Sequence, residues 1–309
     1  MPQNDASIII LTKNPGDDFN GLLGAIYDQK YPGKFEVIII DSGSTDETIN
    51  TAKGYDTKIV SIKPEDFEYA KTRNFGAELA SGEYLVFLSQ DAVPATNRWL
   101  SSFIKAFEDQ SVAGAYGRQI PKENAIPMQY FFMTTKYPSR RMVKQAKEGK
   151  TDMDAIFFSN VNSAIRRRIW EDYPFHLNLI GTEDFEWAKR VLADGYKIAY
   201  EPESAVYHSH NYSLGLVFQR YFDLGAALSQ FASGEYATDK FTTEGLAYVK
   251  KEMRFLMGNG YVNWLPYAVL YDLAKCSGVL LGKREKWIPL ALKKRLGMYK
   301  NHWQGKGKT

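Results

Sequence analysis

Residues 7–91 alternate between short apolar segments and polar segments of helical character. Four of the apolar segments have the length and composition of buried strands: Ser7–Leu11, Glu36–Ile40, Lys58–Ile62 and Glu83–Leu88. Three helices are predicted between them, at residues 17–29, Thr45–Lys53 and Tyr69–Leu79. Strand–helix–strand repetition predicts an α/β fold whose mostly parallel sheet is covered by helices on both faces.

The regular alternation ends after residue 91. Three later segments have the apolar character of strands: Val112–Tyr116, Ile156–Phe158 and Tyr196–Tyr200. From about Leu214 the sequence becomes helical and aromatic, so we expect an α/β domain over residues 1–212 and a helical region over residues 213–309. The 44% hydrophobic and 24% charged content of the 309 residues is that of a globular protein with a sizeable core.

Cysteine content and charge exclude several classes of protein. The single cysteine, Cys276, rules out an internal disulfide framework and a zinc site built from cysteines. Residues 283–309 carry nine basic residues and one acidic residue, Glu285, although the net charge of the whole chain is only +3. This concentration favours a local anionic partner over general nucleic-acid binding. The first residues lack the pattern of a signal peptide, which predicts a cytoplasmic protein.

Three of the predicted strands end in polar residues that could take part in chemistry. They are followed by Thr12-Lys13-Asn14, by Asp41-Ser42-Gly43-Ser44 and by Gln90-Asp91. In open α/β sheets the ligand lies outside the carboxyl ends of the strands, so these residues are expected to line one crevice. The glycine patterns of dinucleotide oxidoreductases and of P-loop phosphotransferases do not occur in the sequence.

Asp41 and Asp91 each follow a very apolar strand, where a carboxylate needs a cation, a hydrogen-bond donor or water to stay ionised. Asp91, together with Gln90, His208 and His210, is compatible with a hard divalent cation held by few protein groups and by substrate phosphates. For Asp41, a role in closing a turn explains the residue equally well.

Glu183 and Asp184 open a predicted helix after Gly181-Thr182. Acids at a helix start are also favoured by the helix dipole alone. Adjacent residues cannot face the same way on a helix, so at most one of the two can reach the crevice while the other caps the helix or forms an ion pair. A carboxylate in the crevice could act as a general base on a substrate hydroxyl.

Two arginines could contact an anionic group. Arg73 lies on the predicted helix before the fourth strand and could bind phosphate or pair with a strand-end acid such as Asp41. Arg220 lies in the helical region and is a second candidate for binding an anionic leaving group. An arginine on a helix face is, however, more often simply solvated.

Five segments occur in a characteristic order and spacing: Ser7–Asn14, Asp41–Asp46, Arg73–Gly76, Phe87–Pro94 and Gly181–Asp184. In this order they resemble the family 2 glycosyltransferases with the GT-A fold, over roughly residues 6–212. Within that family, Ser89–Pro94, His208–His210 and Arg220–Asp223 are most similar to bacterial rhamnosyltransferases of surface-polysaccharide assembly.

The resemblance implies roles for individual residues. Asp184 corresponds to the catalytic base, and Glu183 beside it would orient the acceptor or the helix. Asp91 corresponds to the last acid of the D-x-D motif and would bind Mg²⁺ or Mn²⁺ with His208 as a further ligand, whereas Ser89 stands where the first acid is usual. The implied donor-binding residues are Thr12, Asn14, Asp41, Gly43, Arg73, Ser89, Gln90 and Arg220.

The reaction implied by the resemblance is an inverting sugar transfer in cell-surface polysaccharide synthesis. L-Rhamnose would move from the nucleotide sugar dTDP-L-rhamnose to a hydroxyl of a lipid-linked glycan acceptor. Asp184 would remove the proton of that hydroxyl as it attacks C1 from the face opposite the leaving group. The metal near Asp91, with His208 and Arg220, would stabilise charge on the leaving diphosphate.

The C-terminal quarter is consistent with an acceptor carried on a lipid. Residues 261–282 are rich in aromatic and aliphatic side chains, but Asp272 and Lys275 interrupt them, which predicts interfacial helices and not a membrane span. The basic residues after position 283 suit anionic headgroups on the inner face of the cell membrane. A helical cap or an oligomer interface explains the same pattern nearly as well.

Two other functions stay open at this stage. A non-catalytic sugar-nucleotide or glycan-binding module of the same fold would account for Ser89 by lost metal binding. A nucleotidyltransferase would share the sheet and a metal-bound nucleotide, although Lys13-Asn14-Pro15-Gly16 is a weak match to the phosphate loop it needs. A processive polysaccharide synthase is disfavoured because the sequence has no membrane spans to form a channel.

Overall fold

The computed structural model describes residues 4–146, 154–177, 179–231 and 238–305. It contains two compact units. The first consists of Met1–Lys122, Tyr137–Leu177 and Glu183–His208, and the second consists of Glu123–Lys136, Asn178–Thr182 and Ser209–Thr309. The division expected from the sequence, at residue 212, therefore differs from these units by three short segments that belong to the second unit: Glu123–Lys136, Asn178–Thr182 and residues 209–212.

The first unit is built on one sheet. Among the described residues its strands are β1 (Ala6–Thr12), β2 (Phe35–Asp41), β3 (Thr57–Ser61), β4 (Tyr84–Ser89), β5 (Val93–Pro94), β6 (Val112–Ile120), β7 (Met142–Lys144), β8 (Asn162–Arg166) and β9 (Lys197–Tyr207). Their order is β3-β2-β1-β4-β8-β6-β9-β5, and β7 pairs with β9. The four neighbouring strands β3, β2, β1 and β4 are parallel. Strand β8 is antiparallel to both of its neighbours, β4 and β6.

Each of the first four strands was predicted to within one residue at either end. Ile8 and Ile10 of β1 and Ile38 and Ile39 of β2 are fully buried, as expected for strands covered on both faces. The parallel register places Thr12 opposite Asp41 and Leu11 opposite Ser89. The carboxyl ends of β1, β2 and β4 therefore lie at the same edge of the sheet.

Helices of the first unit are α1 (Asp18–Tyr27), α2 (Thr48–Lys53), α3 (Tyr69–Leu79), α4 (Trp99–Ala106), α6 (Arg167–Asp172) and α7 (Glu183–Ala193). Those of the second unit are α5 (Pro127–Lys136), α8 (Leu214–Phe231), α9 (Thr238–Gly258), α10 (Leu265–Gly282), α11 (Leu290–Leu296) and α12 (Lys300–Gly305). The prediction for α3 is confirmed at both ends. The start of α2 was predicted three residues too early. Just before the helix, Asp46 Oδ1 accepts a hydrogen bond from the Thr48 backbone N–H at 3.1 Å.

The predicted strand at Ile156–Phe158 is wrong. Ile156 and Phe158 are fully buried, but the segment has no regular structure. Phe158 packs against Trp187, with 5.0 Å between the ring centres, and against Tyr116 at 5.8 Å. A run of apolar residues indicates burial but does not by itself indicate a strand. Here the burial comes from aromatic contacts, without strand pairing.

In the second unit, α8 and α10 pack with their backbones close together. A Cβ atom on Gly278 would lie 2.6 Å from the Phe218 carbonyl oxygen, and one on Gly282 would lie 2.1 Å from the Phe222 carbonyl oxygen. Only glycine fits at these two positions, since any side chain would separate the helices. Over the described residues, no helix is both long and apolar enough to cross a lipid bilayer.

Asp223 on α8 fixes the C-terminal segment of the second unit. Its carboxylate is fully buried and accepts hydrogen bonds from the Met298 N–H at 2.6 Å and from the Tyr299 N–H at 2.9 Å. The indole Nε1–H of the buried Trp303 donates to the same group at 2.9 Å. One carboxylate thus satisfies three donors on the segment that leads into α12.

We expect Asp223→Asn to lower the free energy of unfolding by roughly 2–4 kcal/mol, because bonds to a charged acceptor contribute about 1.5–3 kcal/mol each and an amide NH₂ would face an N–H donor. Urea unfolding followed by circular dichroism measures this change. Asp17→Asn is the matched control, since Asp17 is exposed before α1. Equal midpoints for the two variants would show that Asp223 does not hold the segment.

Candidate active site

The site begins at the ends of β1 and β2. Thr12 and Asp41 are both buried, and the Thr12 hydroxyl donates to Asp41 Oδ1 at 3.1 Å. Asp41 Oδ2 accepts the backbone N–H groups of Gly43 and Ser44, each at 3.0 Å. Asp41 therefore closes the turn after β2, which is one of the two roles that the sequence left open. Nucleotide binding by Thr12 and Asp41 stays a prediction.

Gly43 is required by the geometry of this turn. Its φ angle is +89°, and a Cβ atom would lie 2.9 Å from Pro64 Cγ. Both the left-handed backbone and the close contact exclude larger residues. The backbone of the turn can thus approach a ligand closely.

Side-chain amides connect the three strand ends. Asn14 Oδ1 accepts the Thr45 backbone N–H at 2.7 Å, which joins the segment after β1 to the one after β2. Gln90 Oε1 accepts the Lys13 backbone N–H at 2.7 Å, which joins the segments after β1 and β4. The predicted convergence of the three polar segments is confirmed. Ser89, the last residue of β4, is partly buried beside them.

Arg73 and Glu183 form a buried ion pair. Arg73 Nη1 contacts Glu183 Oε1, and the guanidinium lies 5.1 Å from the centre of the Tyr69 ring. Pairing of Arg73 with Asp41 was the wrong expectation, since the Asp41 oxygens are taken up by the turn after β2. One of the two adjacent acids, Glu183, thus forms an ion pair, which is one of the roles expected for it. That Asp184 faces the crevice stays a prediction.

Asp184 is held beside this pair. Its Oδ2 accepts the Asn160 backbone N–H at 3.2 Å, and its Oδ1 accepts the Phe185 backbone N–H at 2.9 Å. Burial and the negative charge of Glu183 raise the pKa of Asp184 to about 7, against the lowering effect of Arg73 and of the two backbone donors. A carboxyl group with this pKa can accept a proton near neutral pH.

Asp91, which follows β4, lies close to His208, which follows β9. The two side chains approach to 3.6 Å between Asp91 Oδ1 and His208 Nε2, which is too long for a direct hydrogen bond. Gln119 on β6 holds the other ring nitrogen, with 2.9 Å between Oε1 and Nδ1. Its amide nitrogen donates to Tyr137 and to Ser159, so the amide oxygen is the atom that faces the imidazole.

This contact defines the tautomer of a neutral imidazole. With Nδ1–H donated to Gln119, Nε2 of a neutral His208 directs its lone pair toward the Asp91 carboxylate. A lone pair and a carboxylate repel one another unless a cation or a proton lies between them. The donor set therefore fits a divalent cation, and Gln119 supplies the orienting contact typical of metal-binding histidines. His210 belongs to the second unit, and its part in metal binding stays a prediction.

Arg220 lies on α8 in the second unit. Its Nη1 lies 3.4 Å from the Tyr212 hydroxyl, and the guanidinium lies 5.6 Å from the centre of that ring. The side chain is exposed. Its role toward an anionic leaving group stays a prediction.

Sequence reasoning missed Gln119 and Asn160. Gln119 is a polar residue near the end of the buried strand β6. A polar residue at the end of a buried strand could have been recognised from the sequence as a candidate site residue. Asn160 contributes its backbone N–H to Asp184, and no side-chain pattern could reveal that contact.

The sequence pattern of glycosyl transferase family 2 matches residues 7–173, which is more than half of the chain and includes all three strand ends. The chain belongs to glycosyl transferase family 2. It is 36% identical over 306 residues to the O-antigen chain rhamnosyltransferase RfbN of Salmonella typhimurium, covering 96% of this chain and 95% of that protein. It is also 36% identical over 275 residues to the O-antigen chain rhamnosyltransferase WbaN of Salmonella anatum, covering 87% and 86% of the two chains.

Solved structures of other proteins share the fold. The mannosyltransferase PcManGT from Pyrobaculum calidifontis, in complex with GDP-Man and Mn²⁺, matches with a TM-score of 0.62 at 18% identity, over 92% of this chain and 87% of that one. TarS residues 1–349 from S. aureus match with a TM-score of 0.53 at 14% identity, over 92% and 91% of the two chains. The glycosyltransferase thus has the expected GT-A fold, followed by C-terminal helices.

We expect Glu183→Gln to lower the pKa of Asp184 below its value of about 7, because the substitution removes the negative charge that disfavours the ionised carboxyl. A pH titration of the Asp184 carboxyl carbon by ¹³C NMR measures the midpoint. Glu171→Gln removes an equal charge from an exposed position of α6 and should leave the midpoint in place. An unchanged midpoint in Glu183→Gln would show that Glu183 does not tune Asp184.

Proposed function

We propose that this glycosyltransferase moves L-rhamnose from dTDP-L-rhamnose to a hydroxyl of a lipid-linked glycan during synthesis of a surface polysaccharide, with inversion at the anomeric carbon. The sugar and the pathway are supported by the 36% identity to O-antigen chain rhamnosyltransferases over nearly the whole chain. The observation that carries the catalytic part is the environment of Asp184, which gives a carboxylate the proton affinity of a base at neutral pH.

Asp184 is the general base in this proposal. The acceptor oxygen bonds to C1 of the sugar, the bond from C1 to the diphosphate oxygen breaks, and the acceptor proton passes to Asp184. Because a single displacement leaves the new bond on the opposite face, the configuration at C1 is inverted. Backbone N–H groups of Asn160 and Phe185 hold both carboxylate oxygens, which fixes the direction from which the base acts.

Glu183 and Arg73 act on Asp184 through charge and position. Glu183 raises the proton affinity of the base, and Arg73 limits that effect by neutralising most of the Glu183 charge. The pair also anchors the first turn of α7 to α3. In this proposal Glu183 is a positioning residue and does not contact the acceptor.

Asp91 and His208 would hold Mg²⁺ or Mn²⁺. Asp91 offers a carboxylate oxygen, and His208 offers the Nε2 lone pair that Gln119 orients. Histidine in this position compensates for Ser89, which stands where the family motif has an acid. A bound divalent cation would offset the charge of the nucleoside diphosphate.

The donor nucleotide is placed at the ends of β1, β2 and β4. Gly43 in the turn after β2 has no side chain that would keep a ligand from the backbone. Thr12, Asn14 and Asp41 order that turn through the hydrogen bonds described above, and Gln90 ties the segment after β1 to the end of β4. We assign the nucleoside to this edge and the diphosphate to the side of Asp91.

Donor specificity and the base are tested together. Thermal stability is measured with dTDP-rhamnose, UDP-glucose, UDP-galactose and GDP-mannose, each with Mn²⁺ or with chelator, because a ligand that binds only the folded state raises its stability. We expect dTDP-rhamnose with metal to give the largest shift. Asp184→Asn should keep that shift while donor hydrolysis and transfer fall by about 10²–10⁴-fold.

The control for Asp184→Asn is Glu171→Gln, which should retain full turnover because Glu171 is exposed on α6. Retained turnover in Asp184→Asn would remove Asp184 as the base. Binding of dTDP-rhamnose with no hydrolysis and no transfer by the unsubstituted chain would favour a non-catalytic sugar-nucleotide-binding module. A stability shift from none of the nucleotide sugars would contradict both.

Metal binding is measured directly by electron paramagnetic resonance titration with Mn²⁺. We expect Asp91→Asn and His208→Gln each to weaken Mn²⁺ binding, and Gln119→Leu to weaken it by about 10–100-fold because the imidazole loses its orienting contact. His176→Gln is the matched control, since the His176 side chain is 56% exposed and pairs with Glu186. Equal Mn²⁺ affinity in all four variants would place the metal elsewhere.

A further inference from the structure

The outer face of α10 is apolar. Val269, Leu270 and Leu273 are 49–59% exposed, and Leu281 is 37% exposed. At about 100° per residue these four positions fall on one side of the helix. Pro266, Cys276 and Ser277 are exposed at positions between them, so no charge interrupts this face. A helix in water normally turns such residues inward.

The charges of α10 lie on its inner face instead. Lys275 Nζ contacts Asp272 Oδ1 at 2.9 Å and lies 3.9 Å from Glu252 Oε1 of α9. Glu252 is fully buried, and the side chains of Asp272 and Lys275 are 11% and 14% exposed. The two charged residues that interrupt the apolar sequence are thus removed from the surface, and α10 has the inverse of the usual amphipathic arrangement.

Residues beyond α10 extend the exposed surface and make it basic. Trp287 is 88% exposed, which is far more than any other large apolar side chain described. The same segment carries five exposed basic side chains: Arg284, Lys286, Lys294, Arg295 and Lys300. The acids between residues 261 and 305 are Asp272 and Glu285, and both are buried in ion pairs with lysines.

We propose that this region docks on the surface of an anionic lipid bilayer. The α10 surface is defined here as Val269, Leu270, Leu273, Leu281, Trp287 and the exposed basic residues that follow them. Its apolar side chains would enter the boundary between headgroups and acyl chains, where tryptophan is also favoured. The basic side chains would lie among anionic phosphate headgroups, whose surface potential attracts them.

Charge decides between a bilayer and a second copy of the chain. A two-fold contact through the α10 surface would bring identical basic residues together. Among the side chains described between residues 261 and 305, no exposed acid is present to pair with them. Like charges in contact oppose association, whereas an anionic bilayer satisfies both the apolar and the basic part of the surface. The docking proposal itself does not depend on the proposed function. Only the statement that docking brings the protein to a lipid-linked acceptor rests on that function.

The full chain is tested by co-sedimentation with vesicles of phosphatidylglycerol and phosphatidylcholine, and with vesicles of phosphatidylcholine alone. We expect binding to the anionic vesicles, weaker binding at high salt, and little binding to the neutral ones. The variant Leu270→Gln/Leu273→Gln/Trp287→Ser should lower the vesicle partition coefficient by about tenfold or more, since each side chain loses apolar burial. Leu216→Gln, at a position 41% exposed on α8, should bind like the unsubstituted chain.

The outcomes separate this proposal from the proposed function. Unchanged vesicle binding in the triple variant, or no binding by the unsubstituted chain, would overturn the docking proposal. So would a dimer in analytical ultracentrifugation that the triple variant converts to a monomer without lipid. The triple variant should keep the thermal shift with a nucleotide sugar, since its positions lie outside the donor-binding residues. Vesicle binding without any sugar-nucleotide binding would instead contradict the proposed function alone.

Discussion

The pairing of β1 with β2 on one side and β4 on the other is the constraint on which the site depends. Apolar side chains fill the middle of these strands, and polar residues follow where the strands end. The parallel register then brings Thr12 opposite Asp41 and the end of β4 alongside them. The Thr12 hydroxyl donates a hydrogen bond at this edge, and the amide oxygens of Asn14 and Gln90 each accept one from the backbone. The nucleotide-binding proposal rests on this edge.

A second constraint is the charge balance around Asp184. Glu183 alone would raise the proton affinity of its neighbour further, and Arg73 alone would suppress it. The buried pair of the two leaves Asp184 with a pKa near neutrality while anchoring the helix that carries it. A neighbouring residue also controls His208. Gln119 contacts Nδ1 of the ring and so orients Nε2 toward Asp91. In both places a neighbouring residue sets the charge or the orientation of a side chain to which the proposal gives a role.

The second unit is organised by buried charge. Asp223 accepts hydrogen bonds from three donors of the C-terminal segment. Lys275 forms ion pairs with Asp272 and Glu252 in the interior. Turning Asp272 and Lys275 inward has a direct consequence for the surface, because the opposite side of α10 is then left entirely uncharged. The region that the sequence marks as aromatic and basic therefore presents apolar and cationic groups to its surroundings.

Local patterns in the sequence determined the four strands of the parallel sheet, helix α3, the polar strand ends and the acids at the start of α7. These features depend on neighbours in the chain, through side-chain periodicity and turn geometry. Tertiary structure decided the partner of Arg73, the roles of Gln119 and Asn160, the irregular path at residues 156–158 and the inward direction of Asp272 and Lys275. Each of these depends on contacts between residues far apart in the sequence, and only the folded chain brings such residues within hydrogen-bonding or ion-pairing distance.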